Sequence, residues 1–170
     1  MGAERFTTYQ DGIDVAQAFR DAVENAQYEY GHRGYTGTIA EKDSWQTVTS
    51  TPLSVRDAVA LADRIMSDYE HPLQDKWGPA GAIPVLSDRR QITVTVPPST
   101  PGYKTLKEAA AAILAEGDQL LPGETVEHYT GDVIERSRRS GLIRSAELDV
   151  TLQGGPAEHR GWLFFGYASS

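Results

Sequence analysis

Apolar residues recur at helical spacing in three stretches of the chain and at strand spacing between and after them. Val15, Ala18, Phe19, Ala22, Val23 and Ala26 mark a first helix, with Asp11 as its expected cap and Gly31 as its expected end, since glycine accepts the conformation that closes a helix. The second helix opens at Ser54 with Asp57 as capping pair. Its stripe runs through Val55, Ala58, Val59, Ala62, Ile65, Met66 and Tyr69, and it stops before His71-Pro72. Thr105 with Glu108 opens the third, which ends at Gly117.

Strand patterns are shorter. Thr38 to Lys42 alternates, Trp45 to Thr49 continues it or returns as a hairpin, Ala82 to Leu86 is an apolar run, and Gln91 to Val96 places Ile92, Val94 and Val96 on one face. Thr125 to Thr130 predicts a strand with Val126 and His128 on one face. Residues 132–140 read as a short helix or as an extension of that strand, and we expect the helix. Ala146 to Leu152 and Gly161 to Ala168, separated by Gly154-Gly155-Pro156, are expected to pair as a hairpin. The second is expected to be covered on both faces, because Trp162-Leu163-Phe164-Phe165 is apolar throughout. Arg5 to Tyr9, with Phe6 and Tyr9 as its apolar members, reads as an edge strand or a plain lead-in and is left unassigned. The order predicts an α+β domain, a mostly antiparallel sheet covered by about three helices on one face, spanning residues 1–170 as one globular unit.

Composition narrows the function classes. The chain has 170 residues and no cysteine, which excludes disulfides, thiolate metal sites and a cysteine nucleophile. A hydrophobic share of 39% and a charged share of 24% are ordinary globular values. No apolar run is long enough for a membrane helix and Met1 to Tyr9 lacks a signal-peptide core, so a soluble, cytoplasmic protein is expected. A net charge of −8 argues against non-specific nucleic-acid binding, which rests on neutralising phosphates with lysine and arginine. An acidic chain with one basic run suits a small anionic ligand.

Chemistry-bearing groups concentrate in the stretch from Tyr28 to Lys42. Gly34 and Gly37 let a backbone approach closely, Tyr30 and Tyr35 offer flat faces, and His32 with Arg33 offers positive charge. The stretch leads from a helix to a strand, the reverse of Walker and Rossmann phosphate loops. Glu41 is the candidate base and His32 the candidate acid. Trp77, on a loop with Gly78-Pro79, and the run Arg136, Arg138 and Arg139 complete the expected ligand-binding set. The structural alternatives are turn glycines, surface tyrosines and a solvated arginine face. No zinc-helix histidine pair and no nucleophile-elbow motif is present. We therefore expect no metal and no cofactor, although Glu127 and His128 would be the ligands to consider.

The segments Gly34 to Lys42 and Gly161 to Gly166 resemble small uncharacterised proteins of actinobacterial phages and mobile elements. The resemblance covers these two stretches and transfers no catalytic residue. It implies a host-takeover or defence-related context, in which small domains bind a nucleotide signal or a host protein. The expectation is thus a binding protein for an anionic, nucleotide-like molecule. The alternatives are a hydrolase or transferase acting on a nucleotide or phosphate-containing substrate, and a protein-protein interaction module. A homo-oligomer is compatible with each.

Overall fold

The computed structural model describes residues 2–32 and 34–170, so the candidate cation Arg33 lies outside it. Close contacts divide the chain into two compact units, Met1–Ser87 with Glu158–Ser170, and Asp88–Ala157. The sequence held no linker to announce this. The second unit enters and leaves between two strands whose ends pair as neighbours, Ser87 with Glu158, so no long polar connection is required.

The first unit carries a mixed sheet. Its strands are β1 (Ala3–Asp11), β2 (Trp45–Thr47), β3 (Leu53–Ser54), β4 (Ala80–Ser87) and β8 (Glu158–Ser169), in the order β1-β8-β4-β2 with β3 also on β4. β1-β8 and β8-β4 are antiparallel, whereas β2 and β3 run parallel to β4. Helix α1 (Val15–Tyr30) packs Ala18, Phe19 and Ala22 on the side of Phe6, Trp162, Phe164 and Ala168. Helix α2 (Val55–Ser67) packs Ala58, Ala62 and Met66 on the side of Leu163 and Phe165. Successive strand side chains point to opposite faces, so the two helices cover opposite faces of β8 rather than sharing one. Burying Phe164 and Phe165 completely contributes about 1.5–3 kcal/mol each.

Several local expectations change for identifiable reasons. α1 is capped by Asp14, whose carboxylate accepts from the Gln17 amide at 2.7 Å, while Asp11 closes β1 ahead of Gly12. α2 ends at Ser67, which leaves Tyr69 outside it, and Val55 and Val59 face solvent. The strand expected at Thr38 to Lys42 is a 3-10 turn, Ile39–Glu41. The Thr38 hydroxyl caps it by accepting from the Ala40 amide, and Ile39 is fully buried. One buried apolar side chain among polar neighbours fits either form, and the threonine cap decides.

The second unit is an all-antiparallel sheet, β5 (Arg90–Val96), β7 (Ile143–Gln153) and β6 (Thr125–Arg136), in the order β5-β7-β6. Helix α3 (Leu106–Glu116), capped by Thr105 and ended by Gly117 as expected, buries Ala109, Ala110 and Leu114 against Val94, Val96, Leu148, Val150 and Leu152. Residues 132–136 continue β6 instead of forming a helix. Gly131 adopts φ 150° where a side chain would strike the Glu147 carbonyl, so glycine lets the strand pass. A bulge between Val126 and His128 turns His128 outward and brings Tyr129 to the core side, which separates the pair expected on one face. β7 and β8 do not form a hairpin: each is the middle of its own sheet. The fold class is α+β with mostly antiparallel pairing, and no described helix is long and apolar enough to cross a membrane.

Candidate functional site

The described part of the Gly-rich stretch folds back on the first unit, and several of its donors are bonded internally. The Glu41 carboxylate accepts from the Thr36 amide at 3.1 Å and from the Thr36 hydroxyl at 3.0 Å. The Gly37 amide donates to the Ser169 carbonyl at 2.9 Å. Gly37 has φ 69°, and a Cβ there would lie 2.6 Å from Glu4 Oε2. Tyr35, also left-handed at φ 73°, is held in a conformation that costs a non-glycine residue on the order of 1 kcal/mol. The Glu41 carboxylate thus latches the turn at Thr36 through two hydrogen bonds.

Next along the chain, Lys42 has a role that spacing did not reveal. Its side chain is 3% exposed, and its Nζ donates to the carbonyls of Asp75, Lys76 and Gly78 at 3.3, 3.0 and 2.9 Å. Burial pulls the ammonium below the ordinary lysine value, with Asp75 acting in the opposite direction. Three converging carbonyls fix the Trp77 loop. Trp77 itself stands 65% exposed, with Lys76 Nζ 5.3 Å from its ring centre.

A concavity of the first unit lies elsewhere, along β1. It is a groove of 560 Å³, within the usual range for ligand sites. Its floor is Glu4 to Gln10, one wall is the α1 surface at Ala22, Asn25, Ala26, Glu29 and Tyr30, and one end is Thr36 to Thr38. β1 is the edge of its sheet. The flanking bonds Gly2 amide to Ser170 carbonyl, 3.0 Å, and Gly12 amide to Arg160 carbonyl, 2.8 Å, set the phase of the ladder. Even-numbered residues exchange hydrogen bonds with β8, and the amides and carbonyls of Arg5, Thr7 and Tyr9 point away from it into the free edge. Among the described residues nothing pairs with these groups.

Charge is distributed unevenly along the groove. The Arg5 guanidinium is occupied on the α2 side, donating to the Tyr167 hydroxyl and to the Met66 carbonyl, both at 2.7 Å. Asn25 donates to Gln10 Oε1 at 3.2 Å, a neutral contact toward one end. Glu4 and Glu29 enter no ion pair among the described residues. The Tyr9 hydroxyl, donating to Asp11 at 2.9 Å, is pushed up to about 12 by burial and then by that hydrogen bond.

Of the residues singled out from the sequence, Tyr30 and Gly37 line this groove. His32 and Gly34 are exposed in the turn beside it. Arg136, Arg138 and Arg139 belong to the second unit, at the end of β6 and in the turn after it, with Arg136 donating to the Gly141 carbonyl at 3.1 Å. Glu127 pairs with Arg89, and the half-buried Trp45 packs its ring, tilted by 39°, against Phe19 at 5.1 Å at the margin of the core. β1 resolves the stretch left open between an edge strand and a lead-in: Phe6 is its one buried residue, so the pattern is weak, and an edge is a property of pairing rather than of composition. No protein-family model, no curated protein and no solved structure matches the chain.

Proposed function

We propose that the protein is a binding module that takes an extended polypeptide segment of a partner as an added strand on β1. The observation that carries this reading is the row of outward peptide groups at Arg5, Thr7 and Tyr9, lying in a groove with a helical wall. Strand addition draws affinity from main-chain hydrogen bonds and specificity from alternate side chains, and this groove offers both. Ala22 and Ala26 keep the α1 wall shallow, which leaves room for side chains of the incoming strand. A phosphate would find few free donors at this end of the groove, since the Thr36 and Gly37 amides are already bonded to Glu41 and Ser169 and the Thr36 hydroxyl donates to Glu41. This reading selects the interaction module among the functions anticipated from the sequence, and a host protein is the partner that the phage resemblance would supply.

The test is amide hydrogen exchange with an extended peptide panel and, in parallel, a nucleotide and cyclic-dinucleotide panel. The expected result is slowed exchange at Arg5, Thr7 and Tyr9 with peptide and no stabilisation by nucleotide. Thermal stabilisation by a nucleotide that leaves those amides unprotected would replace this reading with the small-anion one.

A further inference from the structure

Resting on that reading, we infer that the segment added to β1 is basic, with Lys or Arg at alternate positions on its α1-facing side. The groove itself carries this inference through its charge complementarity. Phe6 belongs to the core beneath α1, so Glu4, two residues earlier on the same strand face, also points to the α1 side. There its carboxylate lies over Gly37. Glu29 enters the groove from the opposite wall, and Tyr30, 59% exposed, brings an aromatic face beside it. α1 ends at Tyr30 with no basic residue in its last turn, so its terminal carbonyls add negative potential at this end of the groove. Two carboxylates, a ring face and a helix C-terminus all favour a cation, and no described cation fills the place.

Basic side chains spaced two residues apart on an added strand lie on one face, so they would meet Glu4 from β1 and Glu29 from α1 while the main chain pairs with Arg5, Thr7 and Tyr9. A second copy of this chain is a poorer occupant. Its own β1 brings Arg5 as the one cation of that strand, and this guanidinium is held by Tyr167 and Met66 on the other face. Nucleic acid is disfavoured by the net charge of −8.

Two labelled eight-residue peptides, one alternating Lys with Val and one alternating Gln with Val, are titrated by fluorescence polarisation into the full chain at low salt. The same peptides are titrated into Glu4→Gln/Glu29→Gln. The Lys peptide is expected to bind roughly tenfold more tightly to the unmodified chain, with the advantage shrinking to about twofold in the double variant and with added salt. Equal binding of both peptides, with Arg5, Thr7 and Tyr9 amides still protected, would overturn the basic preference while leaving strand addition intact. Absence of binding and protection by either would overturn strand addition itself. Concentration-dependent protection of those amides in the free protein, with a dimer in sedimentation, would make the occupant a second copy and also sink the inference.

Discussion

Lys42 shows how much a single residue can hold. Its ammonium satisfies three loop carbonyls at once, so Lys42→Met should leave three acceptors unpaired and cost about 2 kcal/mol in urea unfolding, with a change in Trp77 fluorescence as the loop loosens. Its titration carries a definite sign. Between its lowered value and the ordinary 10.5, the unfolded chain keeps a proton that the folded chain has released, so this group makes stability rise with pH across that window. Tyr9 acts oppositely between 10.0 and about 12, where the unfolded chain gives up its proton first and stability falls. Unfolding curves across the alkaline range should lose the rise in Lys42→Met and the fall in Tyr9→Phe. In the second unit, Glu124 is nearly inaccessible and takes Arg90 Nε and an Arg90 terminal nitrogen, each at 2.7 Å, together with the Leu121 amide at 2.8 Å. Glu124→Ala should cost about 3 kcal/mol, read as a lowered denaturation midpoint, because a partly buried guanidinium and a backbone donor lose their acceptor. None of these roles could be read from spacing: lysine and glutamate are mostly exposed, and only the packing around these two reverses that.

At the scale of elements, β1 serves two neighbours through alternate residues, one of them the sheet and the other the open groove. Proline separates the two sides. Thr7→Pro removes an outward amide that β8 does not use, a position proline tolerates on an edge strand, whereas Thr8→Pro removes an amide of the β1-β8 ladder. Thr7→Pro should keep a cooperative melt within a few degrees of the parent and lose peptide binding at least tenfold; Thr8→Pro should melt much earlier. Equal melting of the two variants would show that the ladder phase is assigned wrongly. The helices were legible in advance, down to the Ser54 and Thr105 caps and the Gly31 and Gly117 ends, because caps and helical periodicity are local signals. Short strands were less so. The turn at Ile39–Glu41 and the continuation of β6 through Gly131 depend on a threonine hydroxyl and on a close backbone crossing, neither of which leaves a period in the sequence.

For the molecule as a whole, the decisive fact is that the second unit is inserted between β4 and β8, whose ends are paired neighbours at Ser87 and Glu158. Replacing residues 88–157 with a two-residue Asn-Gly turn should join β4 to β8 as a tight hairpin, since such turns match the twist of paired antiparallel strands. The shortened chain should retain a cooperative melt, an α/β circular dichroism spectrum and binding of the alternating Lys/Val peptide. A chain that melts without cooperativity would show that the first unit depends on the insertion. Sequence alone determined the class of the protein: the three helices, most strand segments, the absence of cysteine chemistry and the acidic balance follow from local pattern and composition. Tertiary structure alone decided which strands share a sheet, that α1 and α2 take opposite faces of β8, that Glu41 latches its own turn, and that no described strand pairs with the outer side of β1. Pairing across 150 residues and the burial of a charge depend on what arrives from elsewhere in the chain, and no window of neighbouring residues contains that information.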